Sequence, residues 1–418
     1  MPRPPPAPPA AAEAGLATLK QSLSLWHALL YGMGITIGAG IYVLIGPVAK
    51  IAGMAAPAAF VLAAALMSLS ALSFAELATR MPVAAGEAAY VAKGFQSRLA
   101  GTAIGLIVIA IAITTSATIS LGSAEYIRVF LDWPEPLIVT LVVLAMGGIA
   151  AWGIVESITF AGLMTVIETG GLVLIASLGF LTAPGAVARL PEVFDNLTHA
   201  ATLQSMMAAG LLAVFAFIGF EGIVNIAEEM KNPVRDLPRA ILLTLAITAL
   251  VYFAVVWISL VTLGQDTLGR TEAPLAAVFV HLTGWPPATM AAIAIVATLN
   301  GIIASIILAA RVAYGMAKRG HISGVLGRVN PITRTPLLAT VITTILVLVM
   351  ALAVPLTGLA ELSSRLTLIM FAAINASLVA IKARETAPPP HVFVTSRWVP
   401  VAGLVATAAF LVGDLLVV

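Results

Sequence analysis

Long apolar segments recur along almost the whole chain, and they limit its possible folds more than any other sequence feature. Crossing the roughly 30 Å hydrocarbon core of a bilayer takes about 20 apolar residues in a helix. Only 10% of the residues are charged, whereas soluble proteins average about 25%, so this chain cannot cover a water-exposed surface of its size. An all-α integral membrane protein is therefore predicted. The eleven predicted transmembrane helices are 25–46, 51–79, 99–131, 136–153, 157–181, 203–224, 238–264, 286–316, 336–354, 359–382 and 399–417.

The residue inventory argues against catalysis and against several kinds of partner. The five histidines are far apart, and the sequence has no cysteine, no HExxH pair and no Walker-type GxxxxGK[ST] loop. We therefore expect no enzyme activity, no metal and no cofactor, and we expect a proton or sodium gradient as the driving force. The net charge of +2 gives no indication of a nucleic-acid partner. The sequence does not specify an oligomeric state.

The distribution of lysine and arginine predicts the orientation in the membrane. If the N-terminus lies in the cytoplasm, sixteen of the 21 basic residues fall in inner segments. The other five, in outer segments, are Lys50, Arg128, Arg189, Arg270 and Arg365. Because inner loops carry the excess of positive charge, we predict a multi-pass protein of the cytoplasmic membrane with its N-terminus inside. Residues 1–22, rich in proline and alanine, are predicted to be a disordered cytoplasmic tail and not a signal peptide.

Two predicted spans are rich in glycine. Span 1 has four glycines in YGMGITIGAGIY (31–42), and span 6 has three in GLLAVFAFIGFEG (210–222). Glycine costs about 1 kcal/mol relative to alanine inside a helix, so its concentration here predicts that both helices are broken. Each of these spans is the first of a set of five, and matching interrupted helices in two halves are typical of a transporter binding site. Close packing of helices through small residues is the alternative explanation.

Four segments resemble the amino acid–polyamine–organocation superfamily. FAFIGFEGIVNIAEEMKNPVRDLPRAI (215–241) resembles its sixth-helix signature, and GITIGAGIYVLIGPVA (34–49) resembles its first helix. FAELATRMPVAAGEAAYV (74–91) resembles the second helix with the following loop, and ATLNGIIASIILAARVAYGMAKRGHI (297–322) resembles the eighth helix. The resemblance covers about residues 23 to 382. The subgroup that looks most similar is the bacterial permeases related to cationic amino acid transporters.

The resemblance implies an architecture and a function. The fold would be a leucine-transporter-like five-plus-five inverted repeat, with residues 23–181 as the first repeat and 203–382 as the second. Residues 399–418 would form an additional eleventh helix, one fewer in total than the twelve that family members usually have. The implied function is secondary active import or exchange of amino acids by alternating access.

A broken helix exposes main-chain groups at mid-membrane, where a zwitterionic amino acid can satisfy them. The half-helix after the first break would direct its free N–H groups and positive dipole end at the substrate carboxylate. The candidate donors are the amides of Gly38, Ala39 and Gly40, with the Thr36 hydroxyl, and the candidate acceptors for the substrate amine are carbonyls near Ile35, Phe215, Ala216 and Ile218. The resemblance further implies that Phe215 is an aromatic gate, whereas the residue alone would be interpreted as packing.

Glu168 is the most informative single residue, because it lies within a span and has no opposite charge nearby in sequence. A charge at a helix centre costs at least about 2.5–3.5 kcal/mol on insertion scales, and burial favours the neutral form of a carboxyl group. Several proton-coupled relatives carry a lysine at this position, so the resemblance implies a coupling role with the sign of the charge reversed. Coupling to a proton and coupling to sodium both stay open. A structural glutamate bonded to a neighbouring helix is the alternative.

Other polar residues receive weaker interpretations. Ser305 in span 8 is the candidate partner of Glu168, although hydroxyls commonly bond to their own helix. Glu221, in the broken part of span 6, is either a second coupling residue or a carboxylate that satisfies freed amides. Arg80 and Glu87, on either side of the loop after span 2, are expected to belong to solvated salt bridges.

The sequence leaves substrate choice open. No acidic residue is clearly placed to meet a cationic side chain, and Glu125 near the outer end of span 3 is the nearest candidate. Neutral amino acids or a broad range are therefore expected. A polyamine or amine exchanger and a non-transporting amino acid sensor are the alternatives. A sensor would normally carry a soluble signalling domain, for which no loop is long enough, and a channel would need a continuous polar pore.

Overall fold

The architecture comes from a computed structural model, which describes residues 23–38, 40–81, 86–153, 158–182, 185–195 and 199–417. Within these ranges the regular structure is helical, apart from one isolated parallel bridge between Leu23 and Met230. The predicted all-α fold is confirmed. The predicted tail over 1–22 lies outside the described residues.

The helices follow one another closely along the chain. The α-helices of the described ranges are α1 (Leu25–Ile37), α2 (Gly40–Ala52), α3 (Ala56–Arg80), α4 (Gly86–Phe95), α5 (Arg98–Ile127), α6 (Glu135–Trp152), α7 (Ile158–Thr182), α8 (Ala200–Phe217), α9 (Pro233–Leu263), α10 (Gln265–Arg270), α11 (Pro274–Thr283), α12 (Ala288–Lys318), α13 (Leu337–Ala353), α14 (Leu356–Arg384) and α15 (Trp398–Val417). Short 3-10 helices cover Gly53–Ala55, Val187–Val193, Phe220–Glu229 and Gly324–Gly327.

Eight helical ranges in the described part of the chain are long and apolar enough to cross a membrane. One of them, Gly40–Arg80, runs through α2, a 3-10 turn and α3. Shorter apolar helices accompany them, among them α1 with 13 residues and α13 with 17. Some of the eleven predicted crossings are thus too short to qualify by length alone, and α1 is short because the chain breaks at Gly38. The chain is a multi-pass membrane protein.

The helices around this break pack into two groups. In the first, α3 contacts both α8 and α9, α2 contacts α8, and α1 contacts α9. The second is centred on α5, which packs along α12 and also contacts α13 and α14. Helix α7 touches both groups, through α1 and α9 on one side and α12 on the other. The space between the two groups is where the polar residues of interest meet.

A buried ion-pair cluster joins α3 to α14 and to the segment before α15. The fully buried Glu76 carboxylate accepts hydrogen bonds of 2.6–2.9 Å from Arg80, Lys382 and Thr395. Arg80 also pairs with Glu385 at 2.6 Å, and its side chain is only 4% exposed. Two carboxylates and two cations therefore balance in charge. The expected ion pairing of Arg80 is confirmed, but the expectation that it is solvated is wrong, because partners distant in sequence enclose it.

Candidate functional site

The first helix break separates α1 from α2. At the end of α1, the Gly38 amide donates a hydrogen bond of 3.3 Å to the Gly34 carbonyl. The prediction that the Gly38 amide is a free donor is therefore wrong, because α1 continues far enough to give it an acceptor. Ala39 lies outside the described residues, and α2 begins at Gly40. The first amides of a helix have no acceptor within that helix, so the start of α2 is the candidate donor for a carboxylate.

The second break separates α8 from the 3-10 helix Phe220–Glu229. Gly219, between them, has a φ of 127°, which residues with a side chain rarely adopt. It also lies against α1, because a Cβ at this position would be 2.7 Å from the Ile35 carbonyl oxygen. Both the conformation and the close approach require glycine here. The prediction of two broken helices is confirmed.

The two broken helices run antiparallel and meet at their breaks. Helix α2 packs against α8, while α1 packs against the 3-10 helix Phe220–Glu229. Gly40, at the start of α2, lies so close to the Ala216 main chain that an added Cβ would be 2.5 Å from the Ala216 Cα. The two breaks therefore lie at one level of the bundle and face each other.

A cavity lies beside both breaks. Its empty volume is about 1240 Å³, including the mouth that opens to solvent. The predicted site residues in its wall are Ile35, Thr36, Gly40, Phe215, Ile218, Glu221 and Ser305. Three other predicted and described residues, Gly38, Ala216 and Glu168, are outside the wall. The structure thus brings both breaks and Ser305 of α12 to one space.

Tyr252 of α9 binds carbonyls that the breaks free, and sequence reasoning missed it. Its hydroxyl is 3.0 Å from the Thr36 carbonyl oxygen and 2.9 Å from the Ala216 carbonyl oxygen. The prediction that the Ala216 carbonyl meets a substrate amine is wrong in this conformation, because that residue is fully buried and bound to the tyrosine. The sequence did offer one indication of this role: Tyr252 lies within an apolar span, and a buried tyrosine hydroxyl usually has a hydrogen-bond partner.

Two further predicted contacts are occupied within the protein. The Thr36 hydroxyl donates to the Gly32 carbonyl at 2.8 Å, so it cannot also donate to a substrate carboxylate. The Phe215 carbonyl accepts the Ile218 amide at 3.1 Å. The prediction that the Thr36 hydroxyl is a free donor is wrong, because it bonds within its own helix, whereas the Phe215 carbonyl has a second lone pair and stays a predicted acceptor. Phe215 itself is 3% exposed and lines the cavity.

Packed aromatic side chains close one side of the region around the breaks. Phe60, Phe217 and Tyr252 pack with ring centroids 5.2–6.4 Å apart. Beside them, the Tyr126 hydroxyl donates to the Tyr42 carbonyl at 2.8 Å. All five residues are fully buried.

The cavity extends away from these aromatic side chains. Its wall includes residues from Val108 to Ile119 of α5, and no described residue of α5 beyond Ile119, although that helix continues to Ile127. It also includes Glu87 of α4, the helix that directly precedes the start of α5 at Arg98. The cavity therefore runs from the breaks toward the end of the bundle that carries Arg98.

Glu168 lies behind the cavity wall. It is fully buried on α7, and its main-chain carbonyl accepts the Tyr42 hydroxyl at 2.7 Å. The amide of Asn300, which does line the cavity, is 3.5 Å from Glu168 Oε1, at the long limit for a hydrogen bond. Ser305, the predicted partner, lies on the same helix as Asn300 and faces the cavity. Asn300 therefore connects Glu168 to the cavity.

Two carboxylates line the cavity itself. Glu221 Oε2 accepts the Gly219 amide at 2.9 Å, which agrees with the interpretation that it satisfies a freed main-chain group. Glu87 is 6% exposed and near enough to Glu221 for the two groups to repel each other. The expectation that Glu87 is solvated is wrong, because its helix, α4, packs against α5 and α14 and its side chain is buried. This burial raises the pKa of the Glu87 carboxyl.

Sequence relationships extend over nearly the whole chain. Residues 23–418 match a family model described as amino acid permease. An uncharacterized transporter of Mycobacterium tuberculosis is 30% identical over 93% of this chain and 84% of its own length. A vacuolar cationic amino acid transporter of Arabidopsis thaliana is 30% identical over 87% of this chain and 64% of its own. A branched-chain amino acid permease of Bacillus subtilis is 27% identical over 90% and 84%.

These relationships agree with the helical membrane fold and with the resemblance found in four segments of the sequence. The family match covers both helix breaks and every described residue that lines the cavity. The chain belongs to the amino acid permease family, within the amino acid–polyamine–organocation superfamily, and is a membrane transporter, not an enzyme.

Proposed function

We propose that this permease is a secondary active transporter that imports or exchanges amino acids across the cytoplasmic membrane by alternating access. The observation that carries the proposal is the cavity between two facing helix breaks. There, Gly40 at the start of α2 lines the cavity, and the first amides of a helix, which have no acceptor within that helix, are donors for a carboxylate. The positive dipole end of α2 favours the same group. A free amino acid is a small solute that such a site can hold.

The antiparallel contact of the two broken helices supports an inverted repeat. A two-fold axis in the membrane plane would superimpose the first broken helix on the second in the opposite direction. Helix α2 would then lie beside α8, and α1 would lie beside the 3-10 helix Phe220–Glu229. Those are the observed contacts. We propose that residues 23–181 and 203–382 are the two repeats.

The direction of the cavity supports a particular state. The cavity runs toward the end of the bundle with Arg98, and with the N-terminus inside this end faces the cytoplasm, where most lysines and arginines would lie. The aromatic packing around Tyr252 would then close the outer side. The structure would represent the inward-facing state of the transport cycle.

Uptake into proteoliposomes tests the proposed transport. A panel of labelled amino acids is offered with and without an imposed proton or sodium gradient. We expect accumulation above equilibrium for at least one amino acid under one of the gradients, or exchange against the same amino acid preloaded inside. Equilibration that no gradient and no internal amino acid alters would contradict secondary active transport.

For coupling, we propose that Glu168 carries the coupling proton and that Asn300 transmits its protonation state to the cavity. The burial of Glu168 and the contact with Asn300 support this. Glu168→Gln is expected to abolish uptake driven by a pH gradient while substrate binding remains measurable. Glu192→Gln is the matched control, because Glu192 lies in an exposed 3-10 helix where it pairs with Arg189. Gradient-driven accumulation that survives Glu168→Gln would reject the role, and dependence on sodium instead of protons would reassign the ion.

An amine exchanger is the second candidate, because two carboxylates line the cavity. The two functions differ in whether the α-carboxylate of the substrate is recognised. Under the leading proposal, a decarboxylated analogue such as agmatine should not compete with arginine for uptake. Equal competition by agmatine would favour the exchanger.

A further inference from the structure

The cavity wall has an unbalanced charge. Glu87 and Glu221 both line it, while none of the described residues in the wall is a lysine, arginine or histidine. The remaining polar groups in the described wall are neutral: Tyr31, Thr36, Thr115, Thr165, Asn300 and Ser305. A buried carboxylate is costly unless it is paired with a cation and hydrogen bonded. In this wall, the negative charge of either carboxylate has to be balanced by a proton or by a cation that enters from outside the wall.

Glu87 has no cationic partner among the described residues, although its place in the first turn of α4 favours a negative charge. Among the described residues, the one hydrogen bond to its carboxyl comes from its own main-chain amide. Its side chain is nevertheless more than nine-tenths buried and faces the cavity. Nearby, Thr115 also lines the cavity, and its enclosed hydroxyl has no hydrogen-bond partner in the described structure. The Glu87 carboxylate can accept hydrogen bonds from a ligand that carries N–H donors.

The two carboxylates lie on one side of the helix breaks. Helix α2 meets α5 at Gly122, which packs against Val43, whereas α4 meets α5 at Gly101, which packs against Ala88. Gly101 and Gly122 are about 30 Å apart along an ideal helix. Glu87 therefore lies toward the mouth, with Glu221 between it and the break. An amino acid whose carboxylate is at the start of α2 would extend its side chain toward these carboxylates.

We propose that the cavity selects amino acids with a positively charged side chain and that Glu87 is the residue that selects for the charge. This inference rests on the proposed transport function and names the substrate class of the same cavity. A zwitterion brings no net charge to two carboxylates, whereas arginine or lysine brings one positive charge. A guanidinium or ammonium group also supplies N–H donors for the Glu87 carboxylate. The sequence-based expectation of neutral amino acids or a broad range considered Glu125, which does not line the cavity, and did not consider Glu87 and Glu221, which do.

Arginine and citrulline provide a direct test, because they have nearly the same shape and differ in the charge of the terminal group. Competition against a labelled substrate is measured in proteoliposomes with the unaltered protein. We expect arginine to compete at least tenfold better than citrulline. The Glu87→Gln variant keeps the shape of the side chain and removes its charge, and we expect it to reduce that ratio to below threefold. Glu192→Gln, far from the cavity, is expected to leave the ratio unchanged.

The outcomes separate the two proposals. If no amino acid is transported, the proposed function fails. If neutral amino acids are transported and citrulline competes as well as arginine, transport stands and the charge selection is wrong. If arginine is preferred but Glu87→Gln keeps the full ratio, Glu87 is not the selecting residue. Because the first comparison uses the unaltered protein, a variant that fails to fold does not remove the test.

Discussion

Glu76 and Glu87 are close in sequence, both are buried, and their surroundings are opposite. The Glu76 carboxylate accepts hydrogen bonds from two cations and from Thr395, in a cluster whose charges cancel. Glu87 faces a cavity that another carboxylate lines and that has no cation among its described residues. Complete pairing indicates a structural charge, because nothing is left for a ligand to bind. Incomplete pairing in a cavity indicates a charge that meets a ligand.

The comparison predicts its largest effect at Glu76. Removing one partner from a buried ion pair costs about 3–5 kcal/mol, because the remaining charge is left buried and uncompensated. We expect Glu76→Gln to lower the thermal stability of the purified protein strongly, measured by unfolding in detergent. Glu385→Gln is the matched control, because Glu385 is partly exposed and pairs with Arg80 alone among the described residues, so it should cost much less. Equal stability of the two variants would contradict the structural role of Glu76.

A smaller loss is expected at Tyr252, which belongs to the frame of the cavity. In Tyr252→Phe, the Thr36 and Ala216 carbonyls lose their donor, and a buried polar group without a partner costs about 1–3 kcal/mol. Thermal unfolding and initial uptake rate are the measurements, and both should fall. Tyr90→Phe is the control, because the buried Tyr90 hydroxyl has no hydrogen-bond partner in the described structure, so its removal should change little. If Tyr252→Phe leaves both thermal unfolding and uptake rate unchanged, then water or a rearrangement satisfies these carbonyls and the proposed role is wrong.

The pH dependence of substrate choice sharpens the interpretation of Glu87. Burial raises its pKa, so the carboxyl becomes neutral at a higher pH than the ordinary value of about 4.3. The groups that interact with it electrostatically include Tyr90 on its own helix and Glu221 across the cavity. We expect the preference for arginine over citrulline to weaken as the pH falls through this raised pKa, in binding measured without a gradient. A preference that Glu87→Gln removes but that does not depend on pH down to about 4.3 would contradict the raised pKa.

The smallest expected effect is on the stability of the Glu87→Gln variant. A carboxyl whose pKa is raised on folding makes the folded state less stable as the pH rises from the ordinary carboxyl range through the raised pKa. At neutral pH, replacing it with a neutral amide should therefore leave unfolding unchanged or move it to slightly higher temperature. A marked loss of stability would show that Glu87 has a structural partner, and the contrast with Glu76 would disappear.

The glycine pattern and the cavity illustrate how far sequence reasoning reaches. Glycines in two spans predicted both helix breaks, because glycine is costly inside a helix and permits the positive φ of Gly219. The same reasoning proposed the main-chain groups beside the breaks as the site. It did not predict which of those groups are bound within the protein, such as the Gly38 amide and the Ala216 carbonyl.

The sequence by itself determined that this chain crosses a membrane as helices, that two helices are broken, and that it belongs with amino acid permeases. The first two properties follow from local composition, since lipid requires apolar segments and glycine weakens a helix where it stands, and the third follows from the resemblance of four segments to that family. Only the tertiary structure decided whether each buried carboxylate is paired with cations or faces the cavity. Glu76 meets Lys382 and Thr395 from a segment some three hundred residues away, whereas Glu87 meets a cavity. Both lie in one short stretch of sequence, and their difference comes from long-range packing, which no local pattern encodes.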